Sequence, residues 1–242
     1  MGIKAYGIWT NMSDWEIIRE EASIVLIGSM NPKIFHPEWF IRKEIVEEWD
    51  YSQDEVISLP DLAQVELPNE RKLTVLLNKF SILSPLATEY QSIKDLVIHT
   101  FSLLSETPIV QIGMNFSSVI KIRDKDKWKQ FGQKLAPQEY WKQAATFISD
   151  LDEQQQKTLG LWELTMNLPR PDDLEGYIRP KINVFPQAGP YVLQFSINNH
   201  VDLKDSNATS MIRVLEDRWD HSLSFAKQLT ENIMESQLSH AV

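Results

Sequence analysis

Apolar and polar side chains alternate with a period of two along several stretches of this chain, the pattern of a strand with one buried face. Residues 191–202 place Tyr191, Leu193, Phe195, Ile197 and Val201 on one side and Gln194, Ser196, Asn198, His200 and Asp202 on the other. Residues 109–122 set Ile112, Met114 and Phe116 against Gln111, Asn115 and Ser117. Residues 159–168 likewise set Trp162, Leu164, Met166 and Leu168 against Glu163, Thr165 and Asn167. Three strands therefore share a polar side, as in a sheet covered by helices on one face only. Shorter runs join them: SIVLIGS at 23–29, the alternation of Ala63, Val65 and Leu67, and RKLTVLLNKFSIL at 71–83, read as a single strand after the turn at Pro68. Residues 177–185 form a hairpin with the 191–201 segment.

Helical periodicity fills the spaces between. Tyr90, Ile93, Val97, Phe101 and Leu104 step by three and four, Ile41, Ile45 and Trp49 follow Pro37, and Ile212, Leu215, Trp219, Leu223, Ala226 and Ile233 mark a long helix over 208–237. A basic helix at 124–135 is followed, after Pro137, by another at 138–151. Ser13 and Glu16 have the spacing of a capping box, which predicts a short helix at the end of an N-terminal arm.

The order β-α-β-β-α, then β-α-β-β-β-α, predicts an α+β fold. The sheet is expected to be mixed, mainly antiparallel and of about seven or eight strands, with helices on one face and a long C-terminal helix. The repetition suggests a duplicated β-α-β-β-α unit. Residues 1–22 would be the arm and short helix, 23–107 a first half and 108–242 a second, the halves sharing one core.

Composition narrows the functions. With 43% hydrophobic and 24% charged residues in 242, the chain has a globular balance. It has no cysteine, which removes disulfides, thiolate metal sites and a thiol nucleophile. No run of about eighteen apolar residues is present, so no membrane contact is expected and the cytoplasm is the expected location. The eight glycines are too scattered for a phosphate cradle or a dinucleotide fingerprint, and Gly-x-Ser-x-Gly is absent. No cofactor and no metal are expected, and a net charge of −10 disfavours nucleic acid.

Candidate chemistry is sparse. Asn198, His200 and Asp202 would project from one strand face and could orient a general base, but no nucleophile is assigned to them. Charge is more informative. From Glu44 to Glu70 there are nine acidic residues and no lysine or arginine; Glu44, Glu47, Glu48 and Asp50 surround Trp49 and Tyr51. Between residues 121 and 134 the balance reverses, with Lys125, Lys127 and Lys129 at its centre. These residues, with Trp9 and Trp15 of the arm and Gln194 and Ser196 of the polar side, are the expected partner contacts. The expected function is a non-catalytic protein–protein interaction subunit or adaptor of a larger cytoplasmic assembly, its partner a second protein or another copy of itself. The alternatives are a hydrolase or small-ligand binder centred on His200, and an acidic nucleic-acid mimic or inhibitor acting through residues 44–70.

Overall fold

Fourteen residues beginning at Trp15 form the first strand, β1 (Trp15–Gly28), and its neighbours are the two strands that hold the molecule together. The computed structural model describes residues 13–51, 56–152 and 159–238. After β1 come α1 (Pro37–Arg42), β2 (Val56–Ser58), β3 (Leu62–Leu67), β4 (Arg71–Leu76), β5 (Lys79–Ser84) and α2 (Tyr90–Leu103). The remainder is β6 (Ile109–Ile122), α3 (Lys125–Leu135), α4 (Gln138–Ala144), β7 (Glu163–Thr165), β8 (Leu168–Pro169), β9 (Glu175–Val184), β10 (Val192–Asp202) and a C-terminal helix, α5 (Ala208–Leu238).

The ten strands make one sheet in the order β2-β3-β4-β5-β1-β6-β10-β9-β7, with β8 beside β9. The α+β class and the long C-terminal helix are as expected, but the sheet is larger. Every ladder is antiparallel. The helical crossover α2 does join two strands of like direction, β5 and β6, but β1 lies between them and is antiparallel to both. No parallel ladder forms there because the crossover steps over a strand.

Three local expectations are corrected. Ser13 to Glu16 does not open a helix. Ser13 Oγ accepts from the Trp15 backbone N–H at 3.4 Å, and the chain then enters β1 directly, so the strand runs through the expected boundary at residue 22. The period-two order of Glu21, Ser23 and Val25 against Ala22, Ile24 and Leu26 outweighs the cap spacing, because β6 supplies a full-length partner. Residues 71–83 are two strands, not one. Leu77 and Asn78 form a two-residue turn between Leu76 and Lys79, which pair across it. Trp162 and Met166 do not enter the core with Leu164 and Leu168: they are 69% and 51% exposed at the sheet's β7 edge. The sequence pattern could not say that, among the described residues, no further strand lies beyond them.

The helices lie on one side of the sheet. One core cluster joins β1, β3, β4, β5, β6 and β10 to α2 and to the first half of α5, with Phe80, Phe101, Met211 and Trp219 fully buried. A second cluster places Phe131 of α3 and Met234 of α5 over Ile120, Ile182 and Phe195. Along the 31 residues of α5, roughly 46 Å at 1.5 Å per residue, the buried positions recur every three or four residues from Ala208 to Leu238. The helix therefore crosses both clusters. Asn207 starts it, its Oδ1 accepting the Ser210 N–H at 2.8 Å. Close backbone approach requires glycine at Gly28, where a Cβ would fall 2.1 Å from Pro108 O. Gly176 has φ of 132°, and a Cβ there would fall 2.2 Å from His200 O. Among the described residues no helix is long and apolar enough to cross a membrane.

Candidate functional site

The face away from the helices carries most of the polar members of the central strands. Register places Ser23, Asn115, Asn198 and Arg179 side by side across β1, β6, β10 and β9. In the next row stand Glu21, Ser117, Ser196, Lys181 and, from β7, Thr165. Together these rows line a shallow concavity of about 320 Å³. Hydrogen bonds knit its floor: Asn115 Nδ2 donates to Ser23 Oγ at 3.3 Å, and Gln194 Nε2 donates to Ser117 Oγ at 3.0 Å. Asn198 Oδ1 is buried without a partner.

The expected trio of Asn198, His200 and Asp202 shares one strand face but divides in role. Asn198 lines the concavity with Gln194 and Ser196, whereas His200 and Asp202 stand beside it. The His200 ring stacks on Tyr177 with centroids 4.6 Å apart and 14° between planes, and its Nε2 meets Asp202 Oδ1 at 3.2 Å. Asp202 Oδ1 also accepts from Gln111 Nε2 at 2.9 Å. Among the described residues His200 has no other side-chain hydrogen bond, and no hydroxyl is presented to it as a nucleophile. Its geometry is that of a ring packed and tethered between strands. Three or more histidine, aspartate and glutamate side chains do not converge on any metal-sized site among the described residues.

Two arginines flank this face. Arg179 lies over the Tyr177 ring, 4.1 Å from its centroid, so that Tyr177 is sandwiched between Arg179 and His200. Arg19 of β1 lies over Phe185 at 5.6 Å. Neither arginine pairs with a carboxylate among the described residues. By contrast, Lys181 is held by Glu163 at 2.7 Å and Arg123 by Glu16 at 3.0 Å.

The other expected contacts scatter. Trp49 packs on the first core cluster and stands 5.3 Å from Tyr51, which meets His36 in turn. Glu44, Glu47, Glu48 and Asp50 beside them are exposed. Trp15 is half-buried against the second cluster, so it anchors its own chain rather than an arm. Trp9 lies outside the described residues. Lys125 and Lys129 are exposed on α3, on the helix side, and Lys127 pairs with Asp14. The basic stretch thus belongs to two sides of the sheet, because Lys121 ends β6 on the open face.

Sequence reasoning missed two groups. Arg19 and Glu21 were hidden by the helix expected near residue 13, although the alternation of Glu21 and Ser23 with Ala22, Ile24 and Leu26 of β1 was legible. Arg179 and Lys181 alternate with Ile178, Pro180 and Ile182, the same signal. The second group lies on the helix side and left no pattern. Arg170 inserts from the loop before β9 with only 3% of its side chain exposed. Its Nε and NH2 donate to the two oxygens of Asp172 at 2.8 and 2.7 Å, and its NH1 donates to Asn199 Oδ1 and to His200 O. Asn199 Nδ2 then donates to Ser222 Oγ of α5 at 2.8 Å. The Arg170 hydrogen bonds hold the Asp172 carboxyl below the usual carboxylate range, against the opposing effect of its burial. Burial, with Glu20 and Glu21 nearby, pushes the Tyr90 hydroxyl up.

Four large aromatics close in sequence are exposed. Tyr140, Trp141, Phe147 and Trp162 are each more than 60% exposed, in and between α4 and β7. Comparison with protein-family models, curated proteins and solved structures finds no match for this chain.

Proposed function

We propose that the protein is a non-catalytic interaction subunit, an adaptor that holds a protein partner within a larger assembly in the cytoplasm. The observation that carries this reading is the open sheet face. Among the described residues ten strands are backed by helices on one side only, and the other side presents a half-buried, hydrogen-bonded polar floor with cations at its margins. Four exposed large aromatics within residues 140–162 support it, since exposed apolar surface marks association sites. The hydrolase reading has less support, because His200 is tethered to Asp202 and covered by Tyr177. The strand order, which places β1 beside β6 with a meander outside each, supports the proposal that two halves meeting between residues 107 and 108, the first taking in all of β1, arose from one repeated unit.

Purification of the tagged chain from its native host, at about 50 mM and about 500 mM salt, tests the function, because electrostatic association weakens within this range. A protein partner at constant stoichiometry is expected. A retained small molecule with no protein, or the chain alone at both salts, would overturn the reading. A second reading, the acidic mimic, draws on the exposure of Glu44, Glu47, Glu48 and Asp50. It requires that the captured partner be a nucleic-acid-binding protein released by Glu47→Lys with Glu48→Lys.

A further inference from the structure

We infer that the open sheet face binds an acidic, extended polypeptide segment of the partner, with Arg19 and Arg179 taking its carboxylates and the amide of Asn198 taking its backbone. This inference rests on the interaction reading above and names the chemistry of the partner at that surface. The chain as a whole is acidic, at −10, yet this part of its surface is not. On the open side of β1, β6 and β9, Arg19, Lys121 and Arg179 have no ion-pair partner among the described residues, and neither do the carboxylates of Glu21 and Glu175. Each arginine rests on an aromatic ring, which fixes the guanidinium plane; NH2 of Arg179 donates to Asn167 Oδ1 at 3.2 Å, and its remaining N–H groups and those of Arg19 are left for a carboxylate.

Spacing fits a chain rather than a small anion. Arg19 and Arg179 are three strands and four residues apart, roughly 20 Å on the sheet, which about six extended residues span. Between them lie the hydroxyls and amides of the floor, including Asn198 Oδ1, a buried acceptor still without a donor. Rotation of the Asn198 side-chain amide, whose residue is only half-buried, brings this oxygen to a peptide N–H. Single-stranded nucleic acid fits less well, since it stacks bases on open aromatic faces, and the Tyr177 ring is covered on both sides.

Binding of a labelled peptide of about twelve glutamates to the whole chain tests this, beside a Gly-Ser peptide and a single-stranded oligonucleotide of equal length. The expected result is selective binding of the glutamate peptide, weakening about tenfold as salt rises from about 50 to about 200 mM. Arg19→Ala with Arg179→Ala should weaken it at least tenfold, and Lys121→Glu provides a second variant should that pair unfold. Glu21→Gln, which removes the opposing charge, should tighten it about threefold. Lys125→Ala with Lys129→Ala, on the helix side, should leave it unchanged. The inference fails if the glutamate peptide does not bind, if the α3 variant loses as much as the arginine variant, or if the oligonucleotide binds more tightly. It also fails if the chain occupies this face with a second copy of itself, seen as self-association abolished by the arginine variant. A native partner captured through some other surface would leave the adaptor reading standing and remove this one.

Discussion

Removing Arg170 should be among the most damaging single changes in the protein. Arg170→Ala takes away a buried guanidinium that makes two bonds to Asp172, one to Asn199 Oδ1 and one to His200 O. Asp172, 14% exposed, would keep only the Leu174 N–H at 3.3 Å and Arg218 at 3.9 Å, and two further acceptors on β10 would lose their donor. Breaking a buried ion pair by deleting one partner costs about 3–5 kcal/mol. Partial exposure lets water reach Asp172, which favours the lower end, about 3 kcal/mol. For a chain of this size that corresponds to a fall of about 6–12 °C in Tm. Thermal unfolding followed by circular dichroism, with urea unfolding at 25 °C as a check, measures it. A fall of less than about 2 °C would refute the view that this network ties the loop before β9 to β10 and α5.

Three further outcomes follow from the same contacts. Because the folded state depresses the Asp172 pKa, its stabilisation is present above the ordinary carboxylate value of about 3.9 and is lost as pH falls through the lower folded value. Asp172→Asn should therefore be less stable than the parent at pH 7, with the gap closing in acid; a gap constant from pH 7 to about pH 2 would contradict this. Trp219 is fully buried and its Nε1 has no partner, so Trp219→Ala should cost about 3–5 kcal/mol by denaturant unfolding, while Trp219→Phe, which removes the unbonded N–H, should cost clearly less. Gly28→Ala should destabilise by about 1–3 kcal/mol through its clash with Pro108, whereas Gly160→Ala, with nothing within 4 Å, should shift Tm by no more than a degree or two; equal effects would count against the close approach at Gly28.

The sequence by itself determined which side each residue of the long strands occupies. In β6 and β10 the period-two pattern assigns Met114, Phe116, Phe195 and Ile197 to the core and Asn115, Ser117, Gln194 and Ser196 to the open face, because a one-residue slip would bury the polar set. It also determined α2 and α5, whose apolar spacing leaves one face to bury. What surrounds each strand was decided only by tertiary structure. Asn199 belongs to the apolar side of β10 and is buried because Arg170, 29 residues away, and Ser222, 23 residues away, meet it there. Trp162 has a core residue's pattern, yet stays exposed at an edge that no strand among the described residues extends. His200 and Asp202 looked like an acid–base pair along the chain, and it is Tyr177 from β9 and Gln111 from β6 that make them part of the sheet's packing. Local periodicity follows from a backbone that turns side chains over at fixed steps. Partnership across strands depends on chain returns whose lengths and landing points no local pattern records.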